Sequence, residues 1–315
     1  MQPSIRDAAL RLGYVNAVPI TGHPFDIWLD RVKGTHFERL SSLHDPAVAT
    51  GWPVAEITLW VAFAPTPLVV DWPEGCGEMN GHYTSNALRK SRHSAWEDAV
   101  EALGFEVKRG AVFPDRAAAI RAGLGVHGLN GLLITPEHGS FVYITVLAVR
   151  NPPPGDARGP EHDLSPGCGG CGACIPACPR QSISEEGVDT KTCLRTYMNE
   201  PERMTEEIYR QMGRRVMGCD DCQRVCPYNA GIAKEPPPAD LVAPMRLEAL
   251  LTQPVVHEII QYTHLNETIL KTQAILAAAN TGRKDLLPLI EALAQSDEAI
   301  IKKTAQWAVG ELCTS

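Results

Sequence analysis

Cys168, Cys171, Cys174 and Cys178 are spaced C-x2-C-x2-C-x3-C, with Pro179 directly after them. An iron–sulfur cubane needs thiolates that converge from one tight loop, and this run is the bacterial ferredoxin spacing. Gly167, Gly169, Gly170 and Gly172 let the backbone wrap closely around an inorganic core. In two-cluster ferredoxins the fourth cysteine of such a run ligates the other cluster. A second set is therefore required, and Cys219-x2-Cys222-x3-Cys226-Pro227 supplies its last three members, with Cys193 standing in for the displaced first. The crossed arrangement predicts two [4Fe–4S] clusters. Cys168, Cys171, Cys174 and Cys226 would hold one, and Cys178, Cys193, Cys219 and Cys222 the other. Paired C-x2-C motifs also bind structural zinc, but zinc sites lack this run and its swapped twin. Cys76 and Cys313 are singletons, read as structurally incidental thiols.

The chain around these cysteines is ordinary for a globular protein. Its 315 residues allow two domains or three, with 44% apolar and 21% charged residues. No run approaches the ~18–20 apolar residues of a membrane-spanning helix, so no membrane partner is expected. The N-terminal stretch has no basic region followed by an apolar one. The reading is a cytoplasmic protein whose cysteines serve metal or redox chemistry rather than disulfides. Net charge is −8 and no long segment is net basic. Charge therefore offers no support for a nucleic-acid partner such as tRNA.

The elements that must position the cysteines divide at two proline-rich breaks. Residues 1–150 read as an α/β module. Ile57–Ala64 and Phe141–Val149 are apolar runs of strand length; Asn86–Leu103 and the helix opened by Pro114 and Asp115 have helical patterns, ended by Gly104 and Gly123. Residues 151–233 form the cysteine module, entered through a linker at 151–167. Residues 234–315 read as a helical tail. There 269–280 and 300–311 match at a 31-residue offset, the kind of repeat that stacked HEAT helices carry; two unrelated amphipathic helices are the alternative.

Four stretches in order carry a family resemblance: AIRAGLGVHGLNGLLITPEHGS (119–140), CGGCGACIPACP (168–179), CLRTYMNE (193–200) and GCDDCQRVCPYN (218–229). The chain resembles the epoxyqueuosine reductase family and reads as a paralogue within it. The resemblance implies a nitroreductase-like α/β module that binds cobalamin base-off, a two-cluster ferredoxin-like module and a HEAT-like tail. It also implies electrons arriving singly from a ferredoxin- or flavodoxin-type donor to bring cobalt to Co(I), which reduces an epoxide on a tRNA wobble base. No G-x-G-x-x-G fingerprint supports a dinucleotide instead. The segment Gly123–Gly131 then becomes the expected cofactor loop, with Gly123, Gly125, Gly128 and Asn130 as its contacts.

Departures from the family pattern set the remaining questions. The loop commonly reads G-W-I-G-K-N, and here it is Gly125-Val126-His127-Gly128-Leu129-Asn130. The family's proton-donating aspartate falls on Arg109 in an ungapped count from Gly123, where a guanidinium would suit an anionic substrate group. The usual D-Y-H motif is absent, and the chain has HYTSNALRK at 82–90. Asp115 and His127 are the candidate catalytic residues; Asp115 reads equally as a helix N-terminal acid, and His127 as a surface histidine. Tyr143 is a further phenol donor or a packed strand residue. The function expected is a cobalamin-dependent reductase. The alternatives are a two-cluster electron carrier and a reductive activator of a corrinoid protein, each without a substrate of its own. An iron–sulfur scaffold whose tail binds a protein partner is the third reading.

Overall fold

The computed structural model describes residues 4–151, 154–160, 167–254, 259 and 265–314. Its centre is a four-stranded antiparallel sheet in the order β1-β2-β8-β5, formed by β1 (Asn16–Thr21), β2 (Ile57–Pro65), β8 (Val142–Arg150) and β5 (Glu106–Val107). The two long strands are continuously apolar because both faces of the sheet are covered. Leu59, Val61 and Phe63 of β2, with Ile144, Val146 and Ala148 of β8, pack on the alanines of helix Asp115–Arg121. The alternate residues Ala62, Ala64, Tyr143 and Leu147 pack on helices Ile5–Arg11 and Asn86–Ala102. A strand with one wet face would have alternated instead. The buried Trp96 ties the second layer together, its indole N–H donating to the Ile5 carbonyl at 3.2 Å.

Short strand pairs join the sheet to the cysteine-bearing part. β6 (Val126–His127) and β7 (Leu133–Ile134) form a hairpin, as do β9 (Ile183–Ser184) and β10 (Gly187–Val188). β3 (Leu68–Val69) pairs in parallel with β12 (Lys234–Glu235), and β4 (Glu78–Met79) with β11 (Arg215–Met217). Residues 68–79 thus leave the sheet that precedes them, and Val69, Trp72, Cys76 and Met79 enter the core of the helical tail. In that tail helices Glu267–Asn280 and Ala299–Thr314 pack on each other through Leu270, Ala274, Ala278, Ile301, Ala305 and Ala308.

Of the linker expected at 151–167, residues 152–153 and 161–166 lie outside the described residues. Its middle is not free of sheet structure. Arg158 makes a parallel bridge with Ile20 and accepts from the Thr21 N–H at 2.9 Å, because β1 is the edge strand and its backbone groups need partners. Among the described residues no helix is long and apolar enough to cross a membrane.

Candidate functional site

The first cysteine loop is built by left-handed glycines. Gly169, Gly170 and Gly172 have φ of 75°, 65° and 72°, a region costly for side-chained residues. The turn they make brings Cys168, Cys171 and Cys174 together with Cys226 around one small cavity, walled by Leu129, Ile134 and Tyr228. The Tyr228 hydroxyl donates to the Cys168 carbonyl at 3.0 Å and holds the two cysteine segments in register. Burial raises the Cys226 thiol first, and the nearby Cys171 and Cys168 raise it further.

The remaining cysteines gather separately. Burial pushes the Cys219 thiol up to about 12. It also raises Cys222, whose next contributions come from Cys219, Cys193 and Cys178 in turn. Cys174 of the first group also acts on Cys222, so the two groups adjoin. The thiols acting on Cys222 are thus Cys219, Cys193 and Cys178 before Cys174. Among the described residues no three His, Cys, Asp or Glu side chains close on a single-ion site. Burial disfavours the thiolate at Cys174, Cys193, Cys219, Cys222 and Cys226, and a cationic centre would offset it.

Cys193, Cys219 and Cys222 also line a second, open cavity of about 280 Å3 at the junction with the α/β module. Its apolar wall comes from Leu132, Leu133, Phe141 and Val188. Asp115 and Arg116 enter it from the start of their helix, where the Asp115 carboxylate accepts from the Arg116 N–H at 2.7 Å. Asp115 is thus both a helix N-terminal acid and a cavity residue. Tyr143 reaches it from the start of β8, its hydroxyl accepting from Arg92 at 2.8 Å. Burial raises the Tyr143 phenol, opposed by Arg92, so it stays protonated near neutrality. Thr190 lines the same wall, and its hydroxyl is buried without a hydrogen-bond partner.

Sequence reasoning missed His82, Tyr83 and Arg195 in this cavity. His82 and Tyr83 sit on the turn Gly81–Thr84 directly after β4, and Asn80 fixes that turn by donating its N–H to the Met217 carbonyl at 3.0 Å. A Cβ at Gly81 would stand 1.9 Å from the Pro67 carbonyl, so only glycine fits. Arg195, two residues after Cys193, donates to the Tyr83 hydroxyl at 2.6 Å. His82 stays accessible from the open cavity, and the protein crowded around it, followed by Arg89, pushes its imidazole down towards the neutral form. No periodicity or spacing in the sequence marks these residues, because the parallel β4–β11 pairing creates their position.

Two expectations are corrected. The glycine segment is a hairpin turn whose glycines approach protein atoms rather than open space. A Cβ at Gly123 would meet the Arg158 guanidinium at 2.0 Å, one at Gly125 the Ile134 carbonyl at 2.3 Å, and one at Gly128 the Asn130 side chain at 2.5 Å. Of the four loop residues only Asn130 lines the open cavity, and His127 does not. The His127 carbonyl accepts from Gly167 at 2.7 Å, which seats the hairpin on the first cysteine loop. Arg109 is also absent from the cavity lining. Its guanidinium is held on helix Asn86–Ala102 by Glu97, Asp98 and Glu101, which leaves it no role as an anion receptor.

Comparison with known proteins agrees with this architecture. Residues 167–229 match the family described as a 4Fe-4S double cluster binding domain. Epoxyqueuosine reductase of Bacillus cereus is 34% identical over 212 residues, covering 63% of this chain and 54% of the relative. The chain thus spans about half the length of the curated relatives it matches. The structure of epoxyqueuosine reductase from Streptococcus thermophilus superimposes with a TM-score of 0.77 at 23% identity, covering 99% of this chain and 90% of that one. An epoxyqueuosine reductase crystallised with an epoxyqueuosine-modified tRNA-Tyr stem loop gives 0.75 at 22%, covering 96% and 88%. The chain is similar to epoxyqueuosine reductases over about 63% of its length, shares their overall fold, and carries a segment matching a double iron–sulfur cluster domain.

Proposed function

We propose that the chain is a cobalamin-dependent iron–sulfur reductase of the epoxyqueuosine reductase type, acting on a reducible group of a tRNA nucleoside. One observation carries this reading: Cys193, Cys219 and Cys222 share the wall of a single cavity with the α/β module. Cys168, Cys171, Cys174 and Cys226 would hold one [4Fe–4S] cluster. Cys178, Cys193, Cys219 and Cys222 would hold the other, beside the cavity. The unpartnered Thr190 hydroxyl suits an amide side chain on the edge of a corrinoid, and the apolar wall suits the ring's carbon framework. Bound there, cobalamin supplies a strongly reducing metal centre.

The chain's own residues do the rest. Leu132, Leu133, Phe141 and Val188 exclude water from the inner wall. Tyr143 holds a proton at its hydroxyl, and the bond accepted from Arg92 leaves that proton directed elsewhere and the resulting phenolate stabilised. Asp115 places a second polar group at the cavity, as the candidate partner of Tyr143 in proton handling. The α/β module is taken as nitroreductase-like and the two packed tail helices as HEAT-like. Boundaries at 150 and 233 follow the proline breaks.

The test is cob(II)alamin titration into anaerobically reconstituted protein, read by EPR, followed by turnover of an epoxyqueuosine-modified tRNA stem loop. A base-off Co(II) spectrum and loss of the epoxide are the expected results. A spectrum identical to free cobalamin overturns the reading. A second reading, a two-cluster carrier or reductive activator of a corrinoid protein, is favoured by Arg109. That residue stands where the resemblance expects an aspartate and is turned to the surface. Full cluster occupancy without corrinoid binding would select it.

A further inference from the structure

We propose that Ser182 sets the reduction potential of the cluster beside the cavity, its hydroxyl donating a hydrogen bond to a sulfur of that cluster. This rests on the cluster assignment above. Cys178 belongs to the cavity-side set, and the chain turns back on it directly after Pro179. The Gln181 N–H donates to the Cys178 carbonyl at 2.9 Å, and Gln181 itself has φ of 51°. Among the described residues only Asp71 and Gln181 take a left-handed backbone without being glycine, a conformation that is costly for a side-chained residue. The turn aims the next N–H, that of Ser182, at Cys178 Sγ, 3.3 Å away.

The Ser182 carbonyl accepts from the Asp189 N–H at 2.7 Å, which clamps the residue at the foot of the β9–β10 hairpin. Ser182 is only 5% exposed, and its hydroxyl is buried without a protein partner. An orphaned buried donor is costly and calls for an explanation. Ser184, two residues on, shows the ordinary outcome: it is exposed, and its hydroxyl donates to the Gly187 carbonyl at 3.4 Å. Between them Ile183 packs with Cys168, Cys174 and Cys178 in apolar surroundings. Ser182 and Cys178 lie behind the open cavity and line no part of it, so a molecule bound in the cavity does not satisfy this hydroxyl. A cluster held by Cys178 lies on the side to which the Ser182 N–H already points.

Cluster sulfur is an electron-rich acceptor, and a hydrogen bond to it stabilises the reduced, more negative cluster and raises its potential. Backbone N–H groups also face Cys193 from Arg195 and Thr196, Cys219 from Asp221, and Cys226 from Tyr228. Any non-proline residue at those positions would supply the same N–H. The Ser182 hydroxyl is different, because it depends on the residue type and acts on one of the two clusters. Ser182 is thus a positioning residue, which makes the cavity-side cluster easier to reduce without exchanging a bond, a proton or an electron itself.

The experiment is an anaerobic redox titration of the reconstituted full chain, read by EPR, with iron analysis of every variant. Ser182→Ala should keep about eight iron per chain and move one of the two midpoints to lower potential. The ratio of oxidised to reduced cluster at the wild-type midpoint should then rise about tenfold. Ser182→Thr, which keeps a hydroxyl, should hold the wild-type value. In the Cys226→Ser background, where the cavity-side set alone is complete, Ser182→Ala should produce the same shift. Unchanged midpoints, equal shifts in both clusters, no shift in the Cys226→Ser background, or a threonine variant with full iron and the alanine potential would each overturn the role of Ser182. Loss of half the iron in Ser182→Ala would do so too, since the residue would then hold structure and not potential. Wild-type protein that takes up no iron would instead bring down the cluster assignment itself.

Discussion

A buried thiol resists ionisation, and the cysteines of this chain show the cost and its remedy together. Burial drives Cys219 and Cys222 well above an ordinary thiol, while neighbouring cysteines add repulsion. Only a cationic core offsets both effects. Cys226→Ser is expected to lower iron from about eight to about four per chain, with Cys219→Ser removing the other half. Iron analysis with EPR of the reduced variants separates the two losses; a total loss in both would contradict separate sets. His127 is a second residue-scale case. Burial holds its imidazole at about 4, and its Nδ1 has no partner. The unfolded chain titrates near ~6.5, so between these values it binds the proton that the folded chain refuses. Stability therefore falls as pH drops from about 6.5 towards 4. His127→Phe is expected to reduce that fall, measured as the shift in urea midpoint between neutral pH and about pH 5.

At the scale of elements, a buried network registers the sheet against the second cysteine motif. The Ser140 N–H donates to Asn229 Oδ1 at 2.8 Å, and Ser140 Oγ donates to Gln223 Oε1 at 3.1 Å. Asn229 Nδ2 donates to Ser140 Oγ at 2.9 Å and to the Gln223 carbonyl at 2.7 Å. Gln223 follows Cys222 and Asn229 lies three residues after Cys226, while Ser140 leads into β8. Asn229→Ala strands the buried Ser140 N–H, at about 1–3 kcal/mol, while the Gln223 carbonyl keeps the bond from the Cys226 N–H at 3.1 Å. The expected result is a lower urea midpoint with altered EPR line shapes, since both cysteine segments lose their anchor. An unchanged spectrum would confine the network to stability. Sequence reading found the strands and helices around this network because their apolar runs are long and their glycine and proline stops are strong. It could not find the network, whose members are 83 and 89 residues apart.

For the whole molecule, the tail is part of the same fold as the cysteines. Helix Glu267–Asn280 shares its core with Val69, Met79 and Val216, and its Gln273 donates to the Met198 carbonyl at 3.2 Å. Ile275, fully buried there, should cost ~2–5 kcal/mol as alanine. The unfolding midpoints followed by limited proteolysis of the tail and by cluster absorbance are expected to fall together. A shift in the proteolysis midpoint alone would make the tail an independent unit. The proline breaks at 152–154 and 236–238 mark turns of the chain, yet residues 68–79 reach across the first to pair with β11 and β12 and across the second to pack in the tail's core.

The sequence alone marked the two cysteine motifs of a double-cluster domain, because ligand spacing within a loop is local and its chemistry follows from residue type. It likewise determined the long strands and helices, whose periodicities are local. The cavity depended on tertiary structure: its wall joins β8, the turn at Gly81–Thr84, Asp115 and three cysteines, distant segments that meet only through strand pairing. The glycine hairpin shows the same limit from the other side. Glycine spacing records that something comes close, and only the fold shows that Arg158 and the Ile134 carbonyl are what approach.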